Sequence, residues 1–237
     1  MTNRHPGRAF LGVALGVYLP GLLVLAWFAP ESSDPAATAF RLAAAQAVVL
    51  IAWAPSLDAP GVRGWTRLAA IVGVGVLALA FFEVPRGRVP LVEIAVLAGF
   101  AAALRGLHDL LHGARLGDGA ARVAPLVLGA LSITTLSWSG PFIESLADAA
   151  DGVDLAVRVN PLAAIAGGAL QIDWARLRPV TYDAFVGQYY PFSYPGPLAA
   201  SLGWLTVGGI LGGAGSLLTR LRDLQSLQSS GSSEFER

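Results

Sequence analysis

The sequence predicts an all-α, polytopic membrane protein. It would be a bundle of six transmembrane helices with an outer interfacial or re-entrant helix and an aromatic loop between helices five and six. Three observations lead there. Hydrophobic residues make up 54 % of the chain, charged ones only 14 %, and the mean hydropathy is +0.60, whereas soluble domains carry about 25 % charged residues. The apolar residues fall in runs of membrane-spanning length, separated by short polar turns. The longest interruption, Pro141–Pro197, is polar, proline-rich and rich in tyrosine.

The first span runs from Phe10 to Ala29 behind Arg4 and Arg8. It is longer than the apolar core of a signal peptide and further spans follow it, so an uncleaved helix is expected. Gly12 and Gly16 give it a small-xxx-small face for close helix contact, and Pro20 a kink. Span two covers Thr38–Ala54, with Arg41 near its start able to snorkel outward. Span three covers Thr66–Phe82, span four Pro90–Leu111 and span five Val123–Trp138, closed by Ser139-Gly140-Pro141. Span six covers Leu198–Leu218. Its Gly208/Gly212 and Gly209/Gly213 pairs predict tight packing against a neighbour. Residues 1–222 then form a single transmembrane domain, and the Ser/Gln/Glu-rich 223–237 a disordered tail.

Arginine placement sets the orientation, because basic residues favour cytoplasmic loops. Arg4, Arg8, Arg63, Arg67, Arg105, Arg115, Arg122, Arg220 and Arg222 fall on one side; Arg41, Arg86, Arg88, Arg158, Arg176 and Arg178 on the other. Both termini are therefore placed in the cytoplasm and insert 141–197 outside. Within the insert, Asp148, Asp151 and Asp154 read as a solvated acidic turn, their spacing failing the alternating pattern of a calcium loop. Asn160-Pro161 reads as an N-cap with proline at the first helical position. It opens an apolar stretch, Leu162–Leu177, whose core is too short to span. Tyr182, Tyr189, Tyr190 and Tyr194 follow, threaded by prolines, and predict an interfacial lid on the outer leaflet.

Few chemistries survive the composition. There is no cysteine, and no lysine either, which removes disulfides, thiolate metal sites and Cys or Lys nucleophiles. Net charge is zero, giving no sign of a nucleic-acid partner. His108 and His112 lie four apart on one helical face, a spacing that can chelate a metal, with Asp118 as a distant third ligand. The sequence His-Asp-Leu-Leu-His is not the zinc-protease motif, so interfacial histidines supported by an Arg105–Asp109 pair are expected instead. Glu83 and Glu93 flank Arg86 and Arg88, and local pairing is expected to neutralise them. Ser132, Thr135 and Ser139 share a face that Gln46 could meet. They are candidates for a polar path, or for bonds to their own backbone. No enzyme activity and no cofactor are expected.

Six spans, cytoplasmic termini and a helical outer insert before the last span broadly resemble the small permease subunits of ATP-binding-cassette exporters. The resemblance is one of topology; no amphipathic helix precedes span one and the insert is long for that family. It implies a transport-type subunit of the inner membrane, working with a separate cytoplasmic ATPase and contacting lipid and other subunits or its own copies. The alternative is a non-catalytic structural or assembly subunit of a larger membrane complex of electron-transfer or photosynthetic type.

Overall fold

The computed structural model describes residues 35–53, 63–69, 73, 89–135, 139–146, 148–171 and 192–234. These residues are all helical or connecting, with no strand among them. The expected first span with Gly12 and Gly16, most of the third span, Glu83, Arg86, Arg88, Tyr182, Tyr189 and Tyr190 lie outside the described residues. The helices are α1 (Pro35–Trp53), α2 (Val89–Gly113), α3 (Asp118–Ile133), α4 (Gly140–Glu144), α5 (Ala149–Arg158), α6 (residues 161–169) and α7 (Pro197–Glu234).

Two of these are long and apolar enough to cross a membrane: Leu91–Gly113 within α2 and Pro197–Ser226 within α7. The apolar part of α1, Ala39–Ala52, is shorter. So is α3, whose 16 residues rise only about 24 Å at 1.5 Å per residue against a hydrocarbon core of about 30 Å. The described residues therefore account for two of the six predicted spans.

Helix α2 is the axis of the fold. Two-thirds of its apolar window is buried (67 %), against 22 % for α7, which lies along its side. The two run parallel, because their contacts advance together: Gly99 meets Ser201, Gly106 meets Gly208 and Gly113 meets Gly215. Each step is seven residues on both helices, the repeat that keeps one seam in register along a shallow left-handed crossing. Cβ atoms at Gly99 and Gly113 would stand 2.7 Å from the Ser201 and 2.6 Å from the Gly215 carbonyl oxygen. Ser201 adds a hydrogen bond, its Oγ donating to the Ala95 carbonyl at 2.8 Å.

Of the span-six glycines, Gly208 lies in this seam, and a Cβ at Gly212 would meet the Trp65 ring at 3.2 Å and Gly106 Cα at 3.6 Å, whereas one at Gly209 or Gly213 has nothing within 4 Å. The partner on α2 is a set of glycines seven apart, which the four-residue spacing on α7 does not by itself identify. Helix α7 runs through Glu234, so it takes in residues 223–234 of the tail expected after residue 222, a continuation of a helix already nucleated.

Helix α3 turns back against α2 through residues 114–117. The turn is a Schellman motif: Leu116 N–H donates to Leu111 O and Arg115 N–H to His112 O, with Arg115 left-handed at φ 58. Farther along, Gly129 receives Ile51 of α1 and Leu104 of α2, which closes the core.

Among its described residues the insert forms α4, α5 and α6. The acidic group is exposed at Asp148 and Asp151, but Asp148 opens a helix and not a turn. Its side chain caps α5 by accepting from Asp151 N–H at 3.3 Å, and Asp154 pairs with Arg158 one turn later. The helix is amphipathic, with Gly152, Val153, Ala156 and Val157 buried. Asn160 does cap α6, its Oδ1 accepting from Leu162 N–H at 2.9 Å and Ala163 N–H at 3.3 Å, while its Nδ2 donates to Ile133 O at the end of α3. Residues 162–166 are buried among α1, α2 and α3, so α6 packs inside the bundle. The helix ends at Ala169 with a π-helical stretch, Ala164–Ala169; residues 172–177 of the expected apolar stretch lie outside the described residues. Of the lid tyrosines only Tyr194 is described; it covers Gly167 and meets Phe192 edge-on at 5.3 Å.

Candidate functional site

The end of the bundle where α2 meets α3 concentrates charge. Arg105, Arg115 and Arg122 lie there, with Arg220 and Arg222 on the adjoining part of α7; Arg158 is at the opposite end. On α2, Arg105, His108, Asp109 and His112 follow the i, i+3, i+4, i+7 pattern and so share a face. The tight 114–117 turn brings Asp118 and Arg122 of α3 opposite them. Together with Ala121 these side chains line a cavity of about 380 Å³.

Its centre is the ion pair that the sequence predicted. Arg105 is fully buried and its Nη2 lies 2.7 Å from Asp109 Oδ1, whose own side chain is 13 % exposed. His108 Nδ1 approaches the same oxygen at 3.4 Å, and His112 Nδ1 lies 3.5 Å from Asp118 Oδ1. The two imidazoles are parallel within 3° at 6.2 Å between centroids, as expected of histidines four apart. Asp109 and His112 also line a second cavity of about 570 Å³ on the α7 side, with Trp65, Ser216, Thr219 and Arg220. They form the partition between the two spaces.

Two arginines and two aspartates balance in the first cavity, making it a polar mouth without a dominant charge. Among the described residues no three His, Cys, Asp or Glu side chains converge as metal ligands would. Of the polar-path candidates, Ser132 and Thr135 share a third, largely apolar cavity with Phe100, Leu131 and Trp204. Both hydroxyls donate to carbonyls of their own helix, at 2.8 Å to Leu128 and at 2.6 Å to Ser132. Gln46 and Ser139 are buried but are not among that cavity's described lining residues.

Arg86 and Arg88, the partners expected for Glu93, lie outside the described residues, and among the described ones Glu93 has no such partner. Glu93 is wholly buried, and neither carboxylate oxygen has a hydrogen-bond partner. Sequence reasoning also passed over Arg122 as a cavity residue. The signal was available: Asp118 and Arg122 are four apart at the start of the helix that must fold back on the histidines.

Comparison with protein-family models, characterised proteins and solved structures finds no match to this chain.

Proposed function

We propose that the chain is a multi-pass inner-membrane subunit of transport type that works with a separate cytoplasmic ATPase. The observation that carries this reading is the content of α2. A helix apolar enough to span a bilayer buries Glu93 in one half and the Arg105–Asp109 pair with His108 in the other. Ionisable groups inside a membrane are costly, and they are the usual markers of substrate or ion pathways. By the positive-inside rule the arginine-rich end faces the cytoplasm, so the polar cavity opens where an ATPase would dock. The remaining predicted spans, at 10–29 and 66–82 with α1 and α3, complete a six-helix bundle in this reading.

One observation favours the second reading, a non-catalytic subunit within a larger membrane complex. Gly209 and Gly213 form a small-xxx-small pair on α7 with nothing within 4 Å of a built Cβ among the described residues, room enough for the helix of another subunit. Purification in mild detergent, with mass identification of the co-eluting proteins, separates the two. A nucleotide-hydrolysing ATPase in stoichiometric amount is expected. Co-elution of electron-transfer or pigment-bearing subunits without an ATPase overturns the transport reading.

A further inference from the structure

Glu93 sits one turn inside the start of α2, at the end of the bundle opposite the polar cavity. Its residue exposure is zero and both carboxylate oxygens lack hydrogen-bond partners. The buried face it begins continues through Val96, Leu97 and Phe100, so its own helix offers only hydrocarbon. The next ionisable group along α2 is Arg105, twelve residues on, which is about 18 Å at 1.5 Å per residue.

The elements packed against this half of α2 bring no counter-charge among the described residues. Helix α6 (161–169) contains no ionisable residue, nor do residues 125–133 of α3 or the first three turns of α7. Helix α1 carries Arg41 alone, and its side chain is exposed. The one hydroxyl nearby on α7, that of Ser201, is committed to the Ala95 carbonyl. A carboxylate held here as an anion would lack both water and partner, the arrangement that buried charges avoid. A hard metal cation is no better answer, because it needs several oxygen ligands at once and, beyond Gln46 of α1 and the committed Ser201, the buried side chains of these segments are apolar.

The geometry points to a proton: we propose that Glu93 is a proton-binding site within α2, its carboxyl carrying the proton while the bundle is closed as seen here. Binding forms one O–H bond and release returns the proton to the aqueous phase at the α2 N-terminal end, with no other reactant. The site stands independently of the ATPase and goes beyond the transport reading. If that reading holds, Glu93 is where proton movement would couple to it.

The test is carbodiimide labelling of native membranes containing the full chain. A carboxylic acid gives its proton to a carbodiimide nitrogen as its oxygen bonds to the carbodiimide carbon, and rearrangement leaves a stable N-acylurea detectable by peptide mass. Hydrophobic dicyclohexylcarbodiimide is expected to label Glu93, with a yield that falls as pH is raised. A water-soluble carbodiimide should label exposed acids such as Glu144 and Asp151 and spare Glu93. Glu93→Gln should lose the adduct and Glu93→Asp keep it. Failure of the hydrophobic reagent to modify wild-type Glu93, or equal modification by both reagents, overturns the proposal. Because labelling is read on the wild-type chain whether or not a partner is bound, that failure leaves the transport reading untouched, and absence of an ATPase leaves this site untouched.

Discussion

Gly106 of α2 and Gly208 of α7 touch backbone to backbone, so that a methyl group on Gly106 would overlap the Gly208 carbonyl oxygen. Nothing flexible can yield there, since the obstructing atoms are main chain. Gly106→Ala is therefore expected to destabilise the protein by about 3 kcal/mol, the upper range for overpacking a tight core. Gly209→Ala, with open space around its Cβ, should gain about 0.5–1 kcal/mol from helix propensity alone. Ser201→Ala keeps the seam's shape and loses one interhelical hydrogen bond, at a cost of about 0.6 kcal/mol. Unfolding of the three variants in detergent orders them. Equal stability of Gly106→Ala and Gly209→Ala would mean that the two helices do not meet at Gly106.

Arg115 occupies a position built for glycine. It has φ 58 at the residue that receives the Schellman turn after α2, and left-handed backbone costs an L-residue about 1–2 kcal/mol. Arg115 is exposed, so its side chain contributes little packing to offset that cost. After allowing for glycine's greater freedom in the unfolded chain, Arg115→Gly should stabilise by about 1 kcal/mol. Arg115→Val should do the reverse. A drop in melting temperature for the glycine variant would contradict the turn geometry.

The two membrane-length helices were legible in the sequence because their apolar runs exceed anything a turn or a soluble strand requires. Asn160-Pro161 was legible because it combines a capping side chain with the one residue that suits the first helical position. The seam was harder. Span six offers Gly208, Gly209, Gly212, Gly213 and Gly215, and several registers fit them. Only the matching seven-residue steps, Gly99–Gly106–Gly113 against Ser201–Gly208–Gly215, single one out. The burial of Glu93 was hidden for a related reason: proximity in sequence to Arg86 and Arg88 suggested a pair, but burial of a helix face is decided by the helices packed on it. The Asp148 group hid an N-cap because three aspartates in seven residues dominate the apolar spacing of Val153, Ala156 and Val157.

Asn160 holds α6 to the rest of the bundle. Its side chain satisfies two amides of α6 and one carbonyl of α3 from a fully buried position. Loss of an N-cap costs about 0.5–2 kcal/mol, and the stranded carbonyl of Ile133 adds about 1 kcal/mol or more. Asn160→Ala should therefore cost about 2–3 kcal/mol. Asn160→Asp keeps the acceptor but loses the donor and buries a charge, so it should be no better. Proteolysis of residues 161–169 in both variants, with the wild type resistant, would report release of α6. Unchanged resistance would show that α6 is held by packing alone.

The Arg105–Asp109 ion pair and the His112–Asp118 contact in the polar cavity differ in environment, and that difference predicts their worth. Arg105 is wholly buried against Asp109, whereas the side chains of His112 and Asp118 are 54 % and 81 % exposed. Removing one member of a buried pair strands a charge and costs about 3–5 kcal/mol. Asp109 stands partly at the cavity mouth, where water recovers some of that, so Asp109→Asn should cost about 3 kcal/mol. Asp118→Asn breaks only a surface contact and should stay within about 0.5 kcal/mol of wild type. The sharper measurement is a double-mutant cycle. Replacing Arg105 by Met in the Asp109→Asn background removes the stranded cation, so the double variant should be more stable than the two separate losses sum to, by at least 1 kcal/mol for groups in direct contact. Additive losses would mean that the Arg105–Asp109 contact contributes no coupling, and that Arg105 is held in the interior by its packing.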